Sequence, residues 1–83
     1  MNSQNLSHYA QPMTAAARAW MDRVFRAQVA RNGGIVRRSV TSVEREIGRD
    51  LFEAEVSLRW FYLLECGGEF IIICNSGRLQ IIA

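Results

Sequence analysis

The sequence predicts an α+β domain in the order α-β-α-β-β-β, a small antiparallel sheet packed against two helices. Three observations predict it. Apolar residues recur every three or four positions as far as about Trp60, and after that every second position. Gly67-Gly68 separates two apolar runs of hairpin length. A short β-branched stretch, Ile35 to Val40, follows Asn32-Gly33-Gly34 and divides the helical part in two.

Residues 1–11 are polar and read as a disordered leader, with the single domain spanning 12–83. Pro12 suits a helix start, where its missing N–H costs nothing, and Thr14 is an alternative cap. From Met13 to Arg31 the pattern is helical. Met13, Ala17, Trp20, Met21, Val24 and Ala27 share one side, while Arg18, Asp22, Arg23 and Arg26 share the other. Asp22 stands four residues from both Arg18 and Arg26 and can pair with either. Asn32-Gly33-Gly34 ends the helix, because glycine adopts the left-handed cap conformation without a Cβ penalty.

Thr41-Ser42-Val43-Glu44 has the form of a capping box, with Thr41 as cap. Val43, Ile47, Leu51, Ala54 and Leu58 then recur without a phase slip, which predicts one helix to about Trp60. Gly48 lies off that stripe and costs roughly 1 kcal/mol inside a helix, so it marks the one place where a break is expected. Phe61–Cys66 and Glu69–Cys74 form the hairpin arms, and Arg78–Ala83, after Asn75-Ser76-Gly77, reads as a last strand.

The hairpin register follows from its turn. Cys66 faces Glu69, Leu64 faces Ile71 and Tyr62 faces Ile73 on one side. Glu65 meets Phe70, Leu63 meets Ile72 and Phe61 meets Cys74 on the other. With Leu79 and Ile81 added, the first face is apolar throughout and reads as core. The second, carrying Phe61, Leu63, Phe70, Ile72 and Ile82, is too apolar to stay wet, so a helix or a second protein molecule covers it. These five residues are the candidate protein interface.

Composition narrows the function. All ten basic residues are arginine. Net charge is +5 over residues 1–42 and −3 over residues 43–83, so the chain is bipolar rather than basic. Arg18, Arg23, Arg26, Arg37 and Arg38 are the candidate anion or nucleic-acid patch. No run of 18 apolar residues and no signal-peptide pattern occurs, which predicts a cytoplasmic protein. Cys66 and Cys74 fall on opposite faces of the hairpin and cannot pair. His8 is the one histidine and lies in the leader, too isolated for a metal or catalytic role. Glu44, Glu46, Asp50, Glu53 and Glu55 interleave with Arg45 and Arg49 and read as a salt-bridged helix face. No phosphate loop, nucleophile elbow or zinc motif appears. The expectation is a non-enzymatic interaction module without a cofactor, self-associating through the second hairpin face or docking another protein.

The alternative is a winged helix-turn-helix that binds nucleic acid. It requires a turn at Gly48 and places residues 49–60 in the major groove. That segment carries Asp50, Glu53 and Glu55 against Arg49 and Arg59, a poor charge balance for approaching phosphates. The unbroken stripe from Val43 to Leu58 also speaks against the turn.

The stretches Ala19-Trp20-Met21-Asp22-Arg23-Val24-Phe25, Val43-Glu44-Arg45-Glu46-Ile47-Gly48-Arg49 and Phe70-Ile71-Ile72-Ile73-Cys74-Asn75 resemble a small family of bacterial proteins of about this length. The resemblance spans nearly the whole chain. Some members carry the label phosphoribosylanthranilate isomerase. That activity belongs to a (β/α)₈ barrel of roughly 200 or more residues, which this length and antiparallel strands cannot build. The resemblance therefore implies no activity and carries over no functional residue.

Overall fold

Thr14 starts the first helix: its side chain accepts a 3.0 Å hydrogen bond from the Ala17 N–H. The computed structural model describes residues 13–83. The expected leader, the role of Pro12 and the placement of His8 lie outside the described residues. Helix α1 spans Ala15–Arg26. It is shorter than the periodicity predicts, because Ala27 turns to an extended backbone (ψ 144°) before a single further turn, α2, Gln28–Arg31. Gly33, at φ +77°, then caps the chain as expected, and the Gly34 N–H donates to the Val29 carbonyl at 2.8 Å. A Cβ on Gly34 would stand 2.6 Å from Val29 Cγ2, so this position has no room for a side chain.

Strand β1, Ile35–Ser39, runs directly into α3, Val40–Glu46. The cap is Ser39, whose side chain accepts from the Ser42 N–H at 3.0 Å. Thr41 is therefore inside the helix, and the expected capping box does not form. The single long helix does not form either. Ile47 departs from helical geometry and Gly48 takes φ +91°, a conformation that glycine alone enters cheaply. Nothing lies within 4 Å of a Cβ built there, so the backbone angle and not space selects glycine. Helix α4, Arg49–Leu58, starts after the break. Its buried face is Phe52, Glu55 and Val56, while Ala54 and Leu58 of the expected stripe are exposed. The stripe misled because the break rotates α4 relative to α3. Past Leu58 the helix closes with paired bonds, Trp60 N–H to Ser57 and Phe61 N–H to Val56, which place Trp60 at φ +61°.

Strands β2, Tyr62–Cys66, and β3, Glu69–Ile73, form the predicted hairpin with five of the six predicted pairs, Tyr62↔Ile73 to Cys66↔Glu69; the sixth, Phe61 with Cys74, lies beyond the strand ends, where the Phe61 N–H donates to Val56 and the Cys74 N–H to Gly34. Gly67 and Gly68 both have positive φ, the geometry that matches strand twist in a two-residue turn. Strand β1 pairs antiparallel with the far side of β3, from Ile35↔Ile73 to Ser39↔Glu69, giving the sheet order β1-β3-β2. The fold class is α+β as expected, and the turn at Gly48 that the helix-turn-helix alternative requires is present. Arg78–Ala83 belongs to no strand.

The helices pack on one face of the sheet. Met21 and Val24 of α1, Val43 of α3, and Phe52 and Val56 of α4 meet Val36, Phe70, Ile72 and Cys74. The Phe52 and Phe70 rings lie 5.1 Å apart, and Phe25 contacts Phe61 at 5.8 Å. This inverts the expected assignment of faces. Phe61, Leu63, Phe70 and Ile72 are the core side and not an interface. Tyr62, Leu64, Ile71 and Ile73, expected as core, point away from every helix of the described residues. Both faces are apolar, so alternation alone shows which residues share a face and not which face the helices cover.

Candidate interaction surface

The sheet face that no helix of the described residues covers has three rows. Ile35, Ile73 and Tyr62 form the first, Arg37, Ile71 and Leu64 the second, Ser39, Glu69 and Cys66 the third. Two rows are apolar but for one arginine. Ile35 is 55% exposed and Leu64 40%, while Tyr62, Ile71 and Ile73 are half-buried. Arg37 crosses to Glu69 on this face, with Nη2 to Oε1 at 2.6 Å and Nε to Oε1 at 3.1 Å. The face thus carries an apolar centre and one exposed pair of opposite charges. Next to it in sequence, Leu79, Ile81 and Ile82 of the final segment are exposed, the last two by 81% and 90%. Of the expected interface residues, Ile82 alone is at the surface.

The expected arginine patch is not brought together. Arg37 and Arg38 are successive strand residues and project to opposite faces of β1. Arg38 Nη1 donates to its neighbour's carbonyl, Arg37 O, at 2.7 Å. Arg18 is committed to α4, donating from Nη1 and Nη2 to the two Glu55 oxygens at 3.1 and 3.2 Å. Arg23 and Arg26 are exposed on α1, and Arg26 borders an open depression with Asp22 and Phe25.

Glu55 is the polar residue that the sequence pattern misplaces. It is buried, not a member of a solvated face. Arg59 Nη1 donates at 2.9 Å to Oε1, the oxygen it shares with Arg18 Nη1, and the Arg59 guanidinium rests on the Phe25 ring at 4.1 Å. Burial pushes the Glu55 carboxyl up, but the hydrogen bonds from Arg59 and Arg18 outweigh it and hold the group below its ordinary value. Arg49 makes a second tie. It donates to Glu65 at 2.8 and 3.2 Å while its guanidinium lies 5.0 Å from the Phe70 ring centroid. That hydrogen bond lowers the Glu65 carboxyl. Arg49 also stands 3.9 Å from Glu44 and 3.8 Å from Glu53. The most strongly engaged charges are therefore fasteners between elements: α1 to α4 through Glu55, and α4 to the hairpin through Arg49.

Cys66 is exposed and Cys74 buried, both as free thiols, as the register predicts. Burial pushes the Cys74 thiol up, which keeps it protonated and unreactive. Among the described residues no three His, Cys, Asp or Glu side chains group as metal ligands, and no helix is long and apolar enough to cross a membrane. Comparison with known protein families, curated proteins and solved structures finds no match to this chain.

Proposed function

We propose that this chain is a non-enzymatic interaction module that self-associates, burying the open face of its sheet against a second copy. The observation that carries the reading is the row arrangement of Ile35, Tyr62, Leu64, Ile71 and Ile73 on a face that no helix of the described residues covers. Contiguous apolar surface of this kind marks interaction sites. A second copy suits it because Arg37 and Glu69 lie on the same face, so a two-fold contact can set each arginine near the other copy's glutamate. The perturbed carboxylates support a binding role over catalysis, since Glu55 and Glu65 are each held ionised by arginines that join structural elements. Sedimentation velocity over the micromolar range tests the reading. A dimer that becomes monomeric on Ile71→Asp, with the far-ultraviolet circular dichroism unchanged, is the expected result. A wild-type chain that stays monomeric throughout overturns it.

A second reading, nucleic-acid binding, is favoured by the turn at Gly48 and the winged helix order. Against it, the exposed positions of α4 include Asp50 and Glu53, and Arg49 is engaged with Glu65. This reading expects binding of DNA or RNA that falls steeply with salt and weakens on Arg23→Ala with Arg26→Ala. Fluorescence anisotropy that detects no salt-sensitive binding of either nucleic acid excludes it.

A further inference from the structure

We infer that residues 78–82 of one copy add as an antiparallel strand to the free edge of β2 in a second copy, opposite residues 61–65. The inference rests on the self-association reading and adds to the buried face an exchanged edge strand on which the dimer depends.

The sheet order makes the case first. Strand β3 lies between β1 and β2, so both of its sides are occupied, and among the described residues the outer edges of β1 and β2 pair with no further strand. The segment after β3 has strand composition, Arg78-Leu79-Gln80-Ile81-Ile82, yet belongs to no strand and exposes its isoleucines. Two exposed features of one chain are thus complementary: a strand-forming segment without a sheet and a sheet edge without a strand.

Charge and alternation then choose the edge and the register. Strand β1 carries two arginines, Arg37 tied to Glu69 and Arg38 beside it, whereas β2 carries Glu65, whose side chain stays 45% exposed beside its bond to Arg49 and can take a second arginine. With Arg78 opposite Glu65 in an antiparallel pair, Leu79 falls opposite Leu64 and Ile81 opposite Tyr62 on the open face. Ile82 falls beside Phe61 on the other. A one-residue slip moves Leu79 and Ile81 off the apolar face.

The chain's own segment does not reach this position. Asn75 Nδ2 donates to the Gly33 carbonyl at 3.0 Å and the Cys74 N–H to the Gly34 carbonyl at 2.9 Å, so the chain leaves β3 on the β1 side of the sheet. The Gly77 N–H is turned back onto Asn75 Oδ1 at 3.0 Å. From there the β2 edge lies across two strand spacings, roughly 10 Å. Arg78 would also have to begin at the Glu65 end of β2, while β3 ends beside Tyr62. A second copy meets none of these constraints, and a two-fold axis lets each copy give and receive one strand.

Site-directed cross-linking tests this in the full chain carrying Cys66→Ser. One preparation also carries Leu64→Cys and the other Leu79→Cys. Opposed residues of an antiparallel pair stand about 4.5–5.5 Å apart at Cα, within disulfide range. The expected result is an inter-chain disulfide in the mixture that reductant removes. A Leu58→Cys preparation, on α4 and more exposed than Leu79 (72% against 40%), replaces Leu79→Cys as control and should not cross-link to Leu64→Cys. Equal cross-linking by both overturns the inference. Gln80→Pro with Ile81→Pro removes ladder N–H groups from an exposed segment and should leave a folded monomer. If that variant stays dimeric while Ile71→Asp is monomeric, strand addition fails and face-to-face association stands. If the wild-type chain is monomeric, both fail.

Discussion

Phe70 and Ile71 are neighbours on one strand and belong to different parts of the molecule. Phe70 is 1% exposed beneath Phe52, whereas Ile71 faces outward beside Arg37 and Leu64. The two faces of the sheet are similar in composition and differ in what lies over them. Among the described residues, helices α1, α3 and α4 cover one face and no helix covers the other. Apolar character therefore reports stability on one side and an available surface on the other, and the difference comes from topology, not residue type.

The largest effect expected from this comparison is on the covered face. Phe70→Ala removes a fully buried ring and should lower the unfolding free energy by about 3–5 kcal/mol. Urea denaturation followed by circular dichroism measures it. A loss under about 1 kcal/mol would mean that the helices do not pack on this face.

Glu55→Gln comes next, because it loosens the fastening of the helices that do the covering. The expected loss is about 2–3 kcal/mol, since hydrogen bonds to a charged group are among the stronger ones. The same residue sets a pH dependence. Its folded pKa lies below the ordinary 4.5, so its contribution is complete above that value and is lost as pH falls through the folded pKa. Wild-type stability should therefore decline more steeply in acid than that of Glu55→Gln. Parallel denaturation curves from pH 7 to pH 3 (the range is about that of carboxylate titration) would show Glu55 to be unpaired.

How much of this was legible in the sequence depends on the range of the deciding contact. The Gly67-Gly68 turn fixes the hairpin register within a few residues, so every pair from Tyr62 to Cys66 can be read directly. The separation of Cys66 from Cys74 follows with it. The covered face is not legible, because its determinants are the pairing of Val36 with Ile72 and the contact of Phe52 with Phe70, both remote in sequence. Glu55 is a similar case. Its local pattern is that of a solvated carboxylate, and the residue that shields it, Arg18, is 37 positions away. The open sheet face has no local signal of its own beyond being the alternate set of an alternating pattern. The break between α3 and α4 has one, Gly48, but the apolar stripe running through it masks the change of phase.

Gly48→Ala sharpens that last point. The positive φ disfavours any Cβ, while the surrounding space is empty, so the change isolates backbone strain. A loss of about 1–2 kcal/mol is expected. Thermal denaturation that finds no loss would indicate that α3 and α4 can join into one helix, which would carry Phe52 and Val56 away from the sheet and undo the covered face.

The smallest effect on folding is expected at Ile71, and it is the most discriminating. Ile71→Ala removes cross-strand contacts with Leu64 and the Arg37 stem, each worth about 0.2–1 kcal/mol, and opens no cavity under a helix. Urea denaturation at a concentration where the chain is monomeric should show a loss of about 1 kcal/mol or less. At higher concentration the loss should grow, because association stabilises the folded chain by mass action and Ile71 lies in the associating face. Phe70→Ala should show no such growth beyond its own large effect. The concentration dependence of the difference between these two adjacent substitutions thus separates a residue that holds the fold from one that presents a surface. If both differences are independent of concentration, Ile71 is an ordinary surface position and the open face has no partner in a second copy.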